Sequence, residues 1–289
     1  MRSSSLRDRP RTGSRWQSGT LLAGLLALLL GALDSAVLGA QERGFRRGRE
    51  PRPQLSDEDY QRYNVPYDGR FTFARLRYDQ SLWDRGGFWG RGGGDPGWAH
   101  DYPRAERHLM KLLSELTLIR PYLDGGNILK ADDPELCKYP VAYLSEPGYW
   151  TVSEAEATNL RNYLLKGGFL IVDDFEGEHW LNFEDQMHKV LPGAVFVELD
   201  PSYPVFHSFF DIESLENLSF GNYRAQRAPS VYYGVFEDND PTKRLMVVAN
   251  YNNDIGDYWE WSDTGYVPIE LSNEAYKLGI NYIIYALTH

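Results

Sequence analysis

The sequence has a single cysteine, Cys137, among its 289 residues. One cysteine cannot form a disulfide within the chain, so the fold must be held together by its core in any compartment. Neither a glycine-rich nucleophile elbow nor a sequence-adjacent histidine accompanies this cysteine in DPELCKYP. We therefore predict that Cys137 is a small, buried, apolar side chain rather than a catalytic thiol.

Positive charge is scarce beyond the first 50 residues. Those residues carry nine arginines and four acids, which leaves 21 basic residues against 37 acidic ones in the rest of the chain. A body with this excess of negative charge should repel nucleic acids and anionic lipid surfaces, so we predict no nucleic-acid partner. Hydrophobic residues make up 42% of the chain, which is enough for one large α/β domain with a substantial core.

Long hydrophobic runs are also missing, apart from one that extends from Thr20 to Leu33. Five arginines precede this run and Gly39 and Ala40 follow it, which is the layout of a secretory signal peptide. The run is short for a membrane span, yet Leu38 stands where a cleavage site prefers a small residue, so an uncleaved anchor stays open. We predict that residues 1–40 are a signal peptide or N-terminal anchor. The protein should then be exported to the periplasm or cell envelope and touch the membrane only through an uncleaved N-terminal segment.

Two further stretches lack any apolar period. Residues 41–69 are rich in Arg, Pro and acidic residues, which predicts a solvated linker. The glycine-rich stretch GGFWGRGGGDPG at 86–97 lacks the Lys-Ser/Thr pair of a phosphate-binding loop. We interpret it as a surface connection between the first strand and the first helix, with a mobile lid over a site as the alternative.

From residue 70 onward, strand and helix patterns alternate. The predicted strands are FTFARLRY (71–78), YPVAYLS (139–145), FLIVDD (169–174), VFVE (195–198), VYYGVF (231–236) and LMVVAN (245–250). The predicted helices begin at Pro103, with Leu109, Leu112, Leu113 and Leu116 on one face, at the capping box of Ser153 and Glu156, and at Asn273. This order predicts one α/β domain over residues 70–289, with a doubly wound, mostly parallel sheet and helices on both faces.

The strand FLIVDD ends on two aspartates, Asp173 and Asp174, at the edge where open α/β sheets bind their ligands. Successive strand residues point to opposite faces, so Asp173 should continue the side of Phe169 and Ile171. The two carboxylates should therefore not form a paired acid-base dyad. The structural alternative is that one or both accept hydrogen bonds from turn amides or cap the next helix.

Other polar side chains could join these aspartates in a crevice. The candidate catalytic residues are Asp173, Asp174 and His207, and the candidate binding residues are Asp79, Arg104, Glu176, His179, Asp254 and Trp259. Asp101, Asp257 and Glu260 could add further carboxylates. In NYNNDIGDYWEW (250–261) the register of a calcium-binding EF-hand loop fails, because Gly256 comes one place late and Trp261 stands where a Glu is needed. We predict no cofactor and leave a metal requirement open.

Six segments together resemble the bacterial domain-of-unknown-function family 4159 over roughly residues 70–289. They are FARLRYD, DYPRAERHLMKLLSELT, YPVAYLSEPGYWTVSEAEATNLRNYLLKGGFLIVDDFEG, YPVFHSFFDI, NNDIGDYWEW and EAYKLGINYIIYALTH. The resemblance implies a flavodoxin-like fold similar to class I glutamine amidotransferases. It also implies envelope partners, namely MoxR-type ATPases and von Willebrand A-type proteins, and it brings no reaction and no catalytic residues. Where those amidotransferases carry a cysteine after a strand, this chain has VDDFEG, which argues against a thiol mechanism.

Two functions from different classes follow. The favoured one is a noncatalytic envelope domain that binds a ligand or protein partner as part of a MoxR-type ATPase system. The alternative is a carboxylate- or metal-dependent hydrolase that acts on a glycan or peptide, using Asp173 or Asp174 with Glu176, His179 or His207.

Overall fold

The computed structural model of the chain describes residue 62 and residues 64–80, 96–215 and 229–289. The predicted signal peptide or anchor, most of the predicted linker and most of the glycine-rich stretch at 86–97 lie outside these described residues. No helix within them combines the length and the apolar character needed to cross a membrane.

Strands and helices alternate along the described part of the chain. The strands are β1 (Phe73–Arg77), β2 (Asp79–Gln80), β3 (Gly126–Lys130), β4 (Val141–Ser145), β5 (Trp150–Thr151), β6 (Phe169–Phe175), β7 (Val197–Glu198), β8 (Val231–Phe236) and β9 (Leu245–Tyr251). The α-helices are α1 (Arg104–Leu116), α2 (Glu154–Leu165), α3 (His179–Val190), α4 (Ile255–Glu260) and α5 (Ile269–Thr288). Short 3-10 helices lie at Gly97–Ala99, Pro134–Lys138, Pro147–Tyr149, Pro204–Phe206 and Glu237–Asn239. The predicted α/β class is confirmed.

One sheet of seven strands forms within the described ranges, in the order β3-β1-β4-β6-β9-β8-β7. From β3 to β9 each neighbouring pair is parallel, whereas β8 runs antiparallel to β9 and β7 antiparallel to β8. Numbered among themselves in chain order, the parallel strands lie in the order 2-1-3-4-5, one of the common orders of doubly wound sheets. A separate ribbon pairs β2 with β5. The prediction of a mostly parallel sheet is therefore confirmed.

Helices pack on both faces of this sheet. On one face, Leu144 of β4 and Val172 of β6 share a buried core with Leu160 of α2 and Phe183 of α3. Strand residues alternate between faces, so the neighbours of these side chains along each strand point the other way.

The opposite face is lined by aromatic contacts. The ring of Tyr143 in β4 lies 6.1 Å from that of Trp259 in α4, and the ring of Phe169 in β6 lies 5.7 Å from that of Tyr285 in α5. Both faces of the central strands are thus covered by helices, which leaves the carboxyl ends of the strands as the edge where polar groups can gather next to solvent.

The local signals read from the sequence explain where several helices begin and end. The Ser153 hydroxyl accepts from the Glu156 amide and the Glu156 carboxylate accepts from the Ser153 amide, so the predicted capping box starts α2. In α1, Leu109 and Leu113 are buried as predicted, whereas Leu116, the last residue of the helix, is 48% exposed.

The end of the predicted linker departs from the prediction of a solvated segment. The Asn64 side chain exchanges two 2.7 Å hydrogen bonds with the backbone of Ile128, and the Val65 backbone exchanges bonds of 2.9 and 2.8 Å with the Asn127 amide. This segment therefore covers the outer edge of β3, an edge strand that would otherwise leave backbone groups unpaired.

A bulge interrupts β6 where it reaches the edge of the sheet. Its register to β9 shifts between Val172 and Phe175, and Asp174 has a φ of 60°, in the left-handed region. Asp173 keeps the side of Ile171, facing Tyr143, while the bulge turns Asp174 out of the regular alternation. Strict alternation alone therefore does not give the direction of Asp174.

Candidate functional site

Acidic side chains from separate parts of the chain meet at the carboxyl edge of the parallel strands. The carboxylate cluster consists of Asp101, Glu146, Asp173, Asp174, Asp254 and Asp257, with His100 beside it. Glu146 follows β4, the two neighbouring aspartates end β6, and the last two lie just after β9. Parallel strands deliver their carboxyl ends to the same edge, which explains how residues so distant in sequence converge.

Asp173 is the structural centre of this edge and is fully buried. Its Oδ2 accepts from the Tyr143 hydroxyl at 2.8 Å and from the Gly256 amide at 3.0 Å, and its Oδ1 accepts from the Asn250 side chain at 3.0 Å. The Asn250 carbonyl in turn accepts from the Tyr282 hydroxyl at 2.9 Å. The donors predicted for this carboxylate were nearby turn amides, whereas the structure supplies them from β4, β9 and α4.

These donors do not fully compensate for burial. Burial raises the pKa of Asp173 to about 6, with a further increase from the charge of Asp174, while the bonds from Tyr143 and Asn250 oppose the shift. Asp173 therefore ties β4, β6, β9 and α4 together while its charge remains costly.

Asp101 is also 0% exposed, and neither of its carboxylate oxygens has a hydrogen-bond donor among the residues that the structure describes. It follows the 3-10 helix at Gly97–Ala99 and has a φ of 64°. Burial raises the pKa of Asp101 well above its usual range; His100 opposes this shift and the charge of Asp257 adds to it.

A buried ion pair between β1 and α1 holds the loop that carries Asp101. Arg75 of β1 and Glu106 of α1 are each about 1% exposed, with 2.5 Å between Nε and Oε1. The same guanidinium donates to the carbonyls of Trp98, at 3.0 Å, and His100, at 2.7 Å. These bonds fix the backbone within the 3-10 helix and directly after it, and so help determine where the Asp101 carboxylate lies.

His100 lies between three carboxylates and is 30% exposed. Its Nδ1 is 2.8 Å from Asp174 Oδ2 and 3.6 Å from both Asp101 Oδ1 and Glu146 Oε1. Burial lowers the pKa of His100, but Asp101 and then Asp174 raise it by more, so the net shift is well above the usual range. At neutral pH the ring is therefore an imidazolium that partly balances the cluster.

Asp254 and Asp257 stand at the start of α4. Asp254 caps this helix by accepting from the Asp257 amide at 3.0 Å, and Asp257 accepts from the Trp261 indole at 3.2 Å. Burial, followed by the charges of Asp174 and Asp257, raises the pKa of Asp254 well above its usual range. Both carboxylates retain oxygens directed toward Asp101.

Two sets of three side chains in this cluster have the spacing of metal ligands. One ligand atom each from Asp101, Asp254 and Asp257 lie within 4.8 Å of one another, and the same holds for His100, Glu146 and Asp174. The first set offers oxygen atoms alone, and the second mixes carboxylates with imidazole.

The backbone is unusual at the same edge. Asp101, Glu146, Asp174 and Asn252 all have φ between 47° and 64°, a region that residues other than glycine adopt at a cost in energy. Such residues tend to gather where a protein holds side chains for binding or chemistry.

Two glycines let the elements approach each other here. A Cβ on Gly256 would lie 2.5 Å from Asp101 Oδ2, and a Cβ on Gly97 would lie 2.5 Å from Glu146 Oε2. Any side chain at either position would displace a carboxylate of the cluster.

The structure brings three of the predicted site residues together: Asp173, Asp174 and Asp254. Three others lie apart from them. Asp79 is exposed and 3.6 Å from Lys130, Arg104 pairs with Asp263 and stacks over Trp261, and His207 contacts the Pro201 carbonyl and Asp211.

The remaining predicted binding residues support the fold next to the cluster. The ring of His179 packs edge-on against Tyr149 at 4.9 Å, and the Glu176 carbonyl accepts from the His179 amide in the turn before α3. Trp259 is 1% exposed and donates to the Ala275 carbonyl at 2.9 Å, so it belongs to the core rather than to the rim of a cleft.

Cys137 is exposed, and the prediction that it is buried is wrong. It lies in the 3-10 helix Pro134–Lys138, just before β4 begins, where Leu136 occupies the core position instead. The amino end of β4 is the edge opposite the carboxylate cluster, so this thiol is far from the candidate site.

Sequence reasoning missed His100, Glu146 and Tyr143. The first two lie in loops beyond the strands, and the short contact of His100 is with Asp174, 74 residues further along the chain. One usable signal was present: Glu146 directly follows a buried strand in the same way that Asp174 does.

A groove of about 800 Å³ lies elsewhere, between α1, α5 and residues 210–214. Its walls include the apolar side chains Leu112, Leu116 and Ile280 together with Glu213 and Lys277. It contains no residue of the carboxylate cluster and offers no comparable convergence of polar groups.

Comparisons with known proteins agree with the family resemblance. No curated protein matches the chain. One family, described as domain of unknown function (DUF4159), matches residues 72–287, which include all the strands and nearly all of the helical residues named above. The chain therefore belongs to the DUF4159 family.

Proposed function

We propose that this domain is a noncatalytic ligand-binding module and that the carboxylate cluster holds a positively charged ligand. The observation that carries the proposal is Asp101, which is fully buried and has no donor to either carboxylate oxygen within the described part of the chain. A buried carboxylate without a donor is costly, and proteins keep such a group where a ligand supplies the missing partner.

The charge balance of the site supports a cationic ligand. Six carboxylates converge at the cluster, and the imidazolium of His100 makes its short contact with only one of them, Asp174. The guanidinium of Arg75 lies beneath the loop and is already paired with Glu106. A cation entering from solvent would relieve the repulsion between the remaining acids.

The position of the cysteine supports a role other than thiol catalysis. The turn after β6 carries Asp173 and Asp174, and Cys137 lies at the opposite edge of the sheet. The amidotransferase chemistry associated with a related fold requires a thiolate at the turn after the strand, so it has no nucleophile at this position.

The same proposal includes a location and partners. We propose that the protein acts in the cell envelope, beside a MoxR-type ATPase and von Willebrand A-type proteins. It rests on the predicted export signal and on the family resemblance. Cell fractionation followed by reciprocal pull-down with a tagged full-length chain tests it. Recovery only in the cytosolic fraction, with no ATPase in the eluate, would refute this part.

The ligand-binding proposal is tested on the full-length chain by thermal unfolding and calorimetric titration. The probes are divalent cations, spermidine and a lysine-rich peptide, each applied to the parent protein, Asp174→Asn and Asp79→Asn. Asn tolerates the left-handed backbone at position 174, and Asp79 is an exposed carboxylate outside the cluster. We expect at least one probe to stabilise the parent and Asp79→Asn, with a much smaller effect on Asp174→Asn. Equal effects on all three proteins, or none, would refute the proposal.

A hydrolase is the second candidate, because one observation favours it. The partly exposed imidazolium of His100 is held at 2.8 Å by Asp174, which is the arrangement of an oriented general acid. Hydrolysis of peptide or glycan substrates that His100→Gln abolishes would support this function. The absence of turnover on such substrates by a correctly folded parent leaves the binding function as the better account.

A further inference from the structure

We infer that the ligand of the carboxylate cluster includes a hard divalent cation, of the Mg²⁺, Mn²⁺ or Ca²⁺ type, coordinated by Asp101, Asp254 and Asp257. This inference rests on the proposed function and names the chemistry of its ligand. It concerns the oxygen-only set of side chains; the neighbouring set of His100, Glu146 and Asp174 borders it.

The first support is the distance between the ligand atoms. One carboxylate oxygen from each of the three aspartates lies within 4.8 Å of the other two. Oxygens bound to one cation at about 2.0 to 2.6 Å are separated by at most about 4 to 5 Å. The three oxygens can therefore reach a single ion with only small side-chain adjustments.

The second support is independent of the clustering and comes from Asp101 itself. This side chain is 0% exposed and neither oxygen has a donor in the described ranges, although one of them lies within 4.8 Å of an oxygen of Asp254 and of Asp257. Asp173, equally buried and close by, has three donors. The fold thus supplies donors to one buried aspartate and leaves the other open on the side that faces two further carboxylates.

The surroundings of Asp101 favour a compact cation over an organic one. Gly256 has no Cβ, and a methyl group there would already lie 2.5 Å from Asp101 Oδ2, so the space beside this oxygen is very small. The His100 ring nitrogen is 3.6 Å from Asp101 Oδ1, and it makes its shorter contact, at 2.8 Å, with Asp174. A small ion fits this space, whereas an ammonium or guanidinium group on a side chain needs a wider entrance.

The chemistry of the coordinating side chains indicates which metals the site would prefer. Three carboxylates and no thiol or imidazole form a hard oxygen set, which suits Mg²⁺, Mn²⁺ or Ca²⁺ rather than Zn²⁺ or copper. Oxygens from water or from a bound ligand would complete the coordination. His100 borders the set, at 3.6 Å from Asp101, and could contact a ligand bound to the cation.

The test uses the full-length chain after chelation and dialysis, with Mn²⁺ as the probe. The loss of the free Mn²⁺ signal in electron paramagnetic resonance counts bound ions, and calorimetry gives the affinity. We expect one bound Mn²⁺ per chain in the parent and in the control Asp79→Asn. Affinity should fall by at least about tenfold in Asp101→Asn and in Asp257→Asn.

These variants are chosen to fold. Asn is well tolerated at the left-handed backbone of position 101, and Asn at position 257 keeps the oxygen that accepts from the Trp261 indole. Thermal unfolding without metal checks this point: Asp101→Asn should melt no lower than the parent, because it removes a buried charge without a donor. Stabilisation by Mn²⁺ should disappear in the same variant.

The outcomes separate this inference from the proposed function. No Mn²⁺ binding by the parent, or unchanged affinity in both variants, overturns the inference. If spermidine or the lysine-rich peptide then still binds in a manner that depends on Asp174, the proposed function stands without the metal. If no probe binds, both are overturned.

Discussion

Asp101 and Asp173 show how two buried carboxylates at one edge can have different roles. Asp173 accepts from Tyr143, Asn250 and Gly256, and these bonds connect three strands to α4. Asp101 accepts from no donor among the described residues, and its polar neighbours there are mainly further carboxylates and one imidazole. The first residue is explained by the fold alone, and the second is the reason for proposing a ligand at this edge.

The titration of Asp173 gives a prediction for stability against pH. Its pKa is about 6 in the folded protein and 3.8 in the unfolded chain. The raised pKa of Asp173 therefore contributes to the free energy of unfolding fully below about pH 4. This contribution is lost as the pH rises from about 4 through 6. Asp173→Asn does not titrate, so its stability relative to the parent should rise over that interval, by on the order of 3 kcal/mol.

Urea unfolding at intervals of pH, with chelator present, measures this difference. The control is Asp211→Asn, which changes a carboxylate that is 84% exposed and should show a constant offset. A constant offset for Asp173→Asn as well would mean that the buried carboxylate does not titrate in this range.

His100 provides a second prediction at the same scale. The Asp174 carboxylate accepts a hydrogen bond from the His100 ring at 2.8 Å. The charges of Asp101 and Asp174 together raise the pKa of the imidazole. Asp174→Asn removes one of these charges, so the pKa of His100 should fall toward its usual value. Proton NMR of the histidine ring measures the shift. Asp211→Asn, which alters the comparable pair with His207, should leave His100 unchanged.

At the scale of elements, the site depends on the short helix α4 more than on any strand. This helix has six residues, yet it supplies Asp257, its cap Asp254 and the Gly256 amide that binds Asp173. The bulge in β6 has a comparable effect, because it turns Asp174 toward His100. The positions of these side chains follow from irregular backbone rather than from regular secondary structure.

Element periodicity explains what could be predicted and what could not. The long strand FLIVDD, the capping box at Ser153 and the closing helix all carry strong local signals, and the structure contains them. The strand GNILK (β3) and the helix α4 were missed, since each is short and mixes polar with apolar residues. Glycine and asparagine are also unusual in strands, so β3 had the weakest signal.

The candidate site was predictable at the end of β6 and in the polar segment after β9, which supplied Asp254. Asp173 and Asp174 were identified because an apolar strand ended on them. His100 and Asp101 depend on a loop held by Arg75, whose contacts with Trp98 and His100 cross 23 and 25 residues. Pairings of that range are set by tertiary packing, and a single sequence contains no local signal for them.

The close approach of α4 to the loop of Asp101 leads to a third prediction. Gly256→Ala should destabilise the protein by about 1 to 3 kcal/mol, although alanine favours a helix, because its methyl group would meet Asp101 Oδ2 and the Tyr143 hydroxyl. Asp101→Ala vacates part of that space. The double variant should therefore be more stable than the sum of the two single changes implies, by about 0.5 to 3 kcal/mol.

A double-mutant cycle of urea unfolding in chelator measures this coupling. Additive effects would mean that α4 moves away from the loop when the methyl group is added. Gly256→Ala should also weaken Mn²⁺ binding even where the protein is fully folded, since it displaces a ligand oxygen.

At the scale of the whole molecule, the strongest polar convergence lies at one edge of the sheet and the thiol at the other. Helices on both faces leave the carboxyl ends of the strands as the place where polar groups can gather, and six acids gather there. Part of the excess negative charge beyond residue 50 is therefore concentrated at this edge of the sheet. An architecture of this kind concentrates a negative potential at one crevice, which attracts cations from a distance.

The boundary of the folded domain gives the last prediction. Four hydrogen bonds join Asn64 and Val65 to Asn127 and Ile128 on the outer edge of β3, so the domain should begin at Asn64 rather than at residue 70. A chain that starts at Asn64 should keep the unfolding free energy of the longer protein. A chain that starts at residue 70 should lose on the order of 2 to 4 kcal/mol, because the edge loses its partners. It should also aggregate more readily, since an uncovered edge strand pairs with other chains. Urea unfolding and light scattering of the two truncated chains measure both effects, and equal stability would place the start of the domain after this segment.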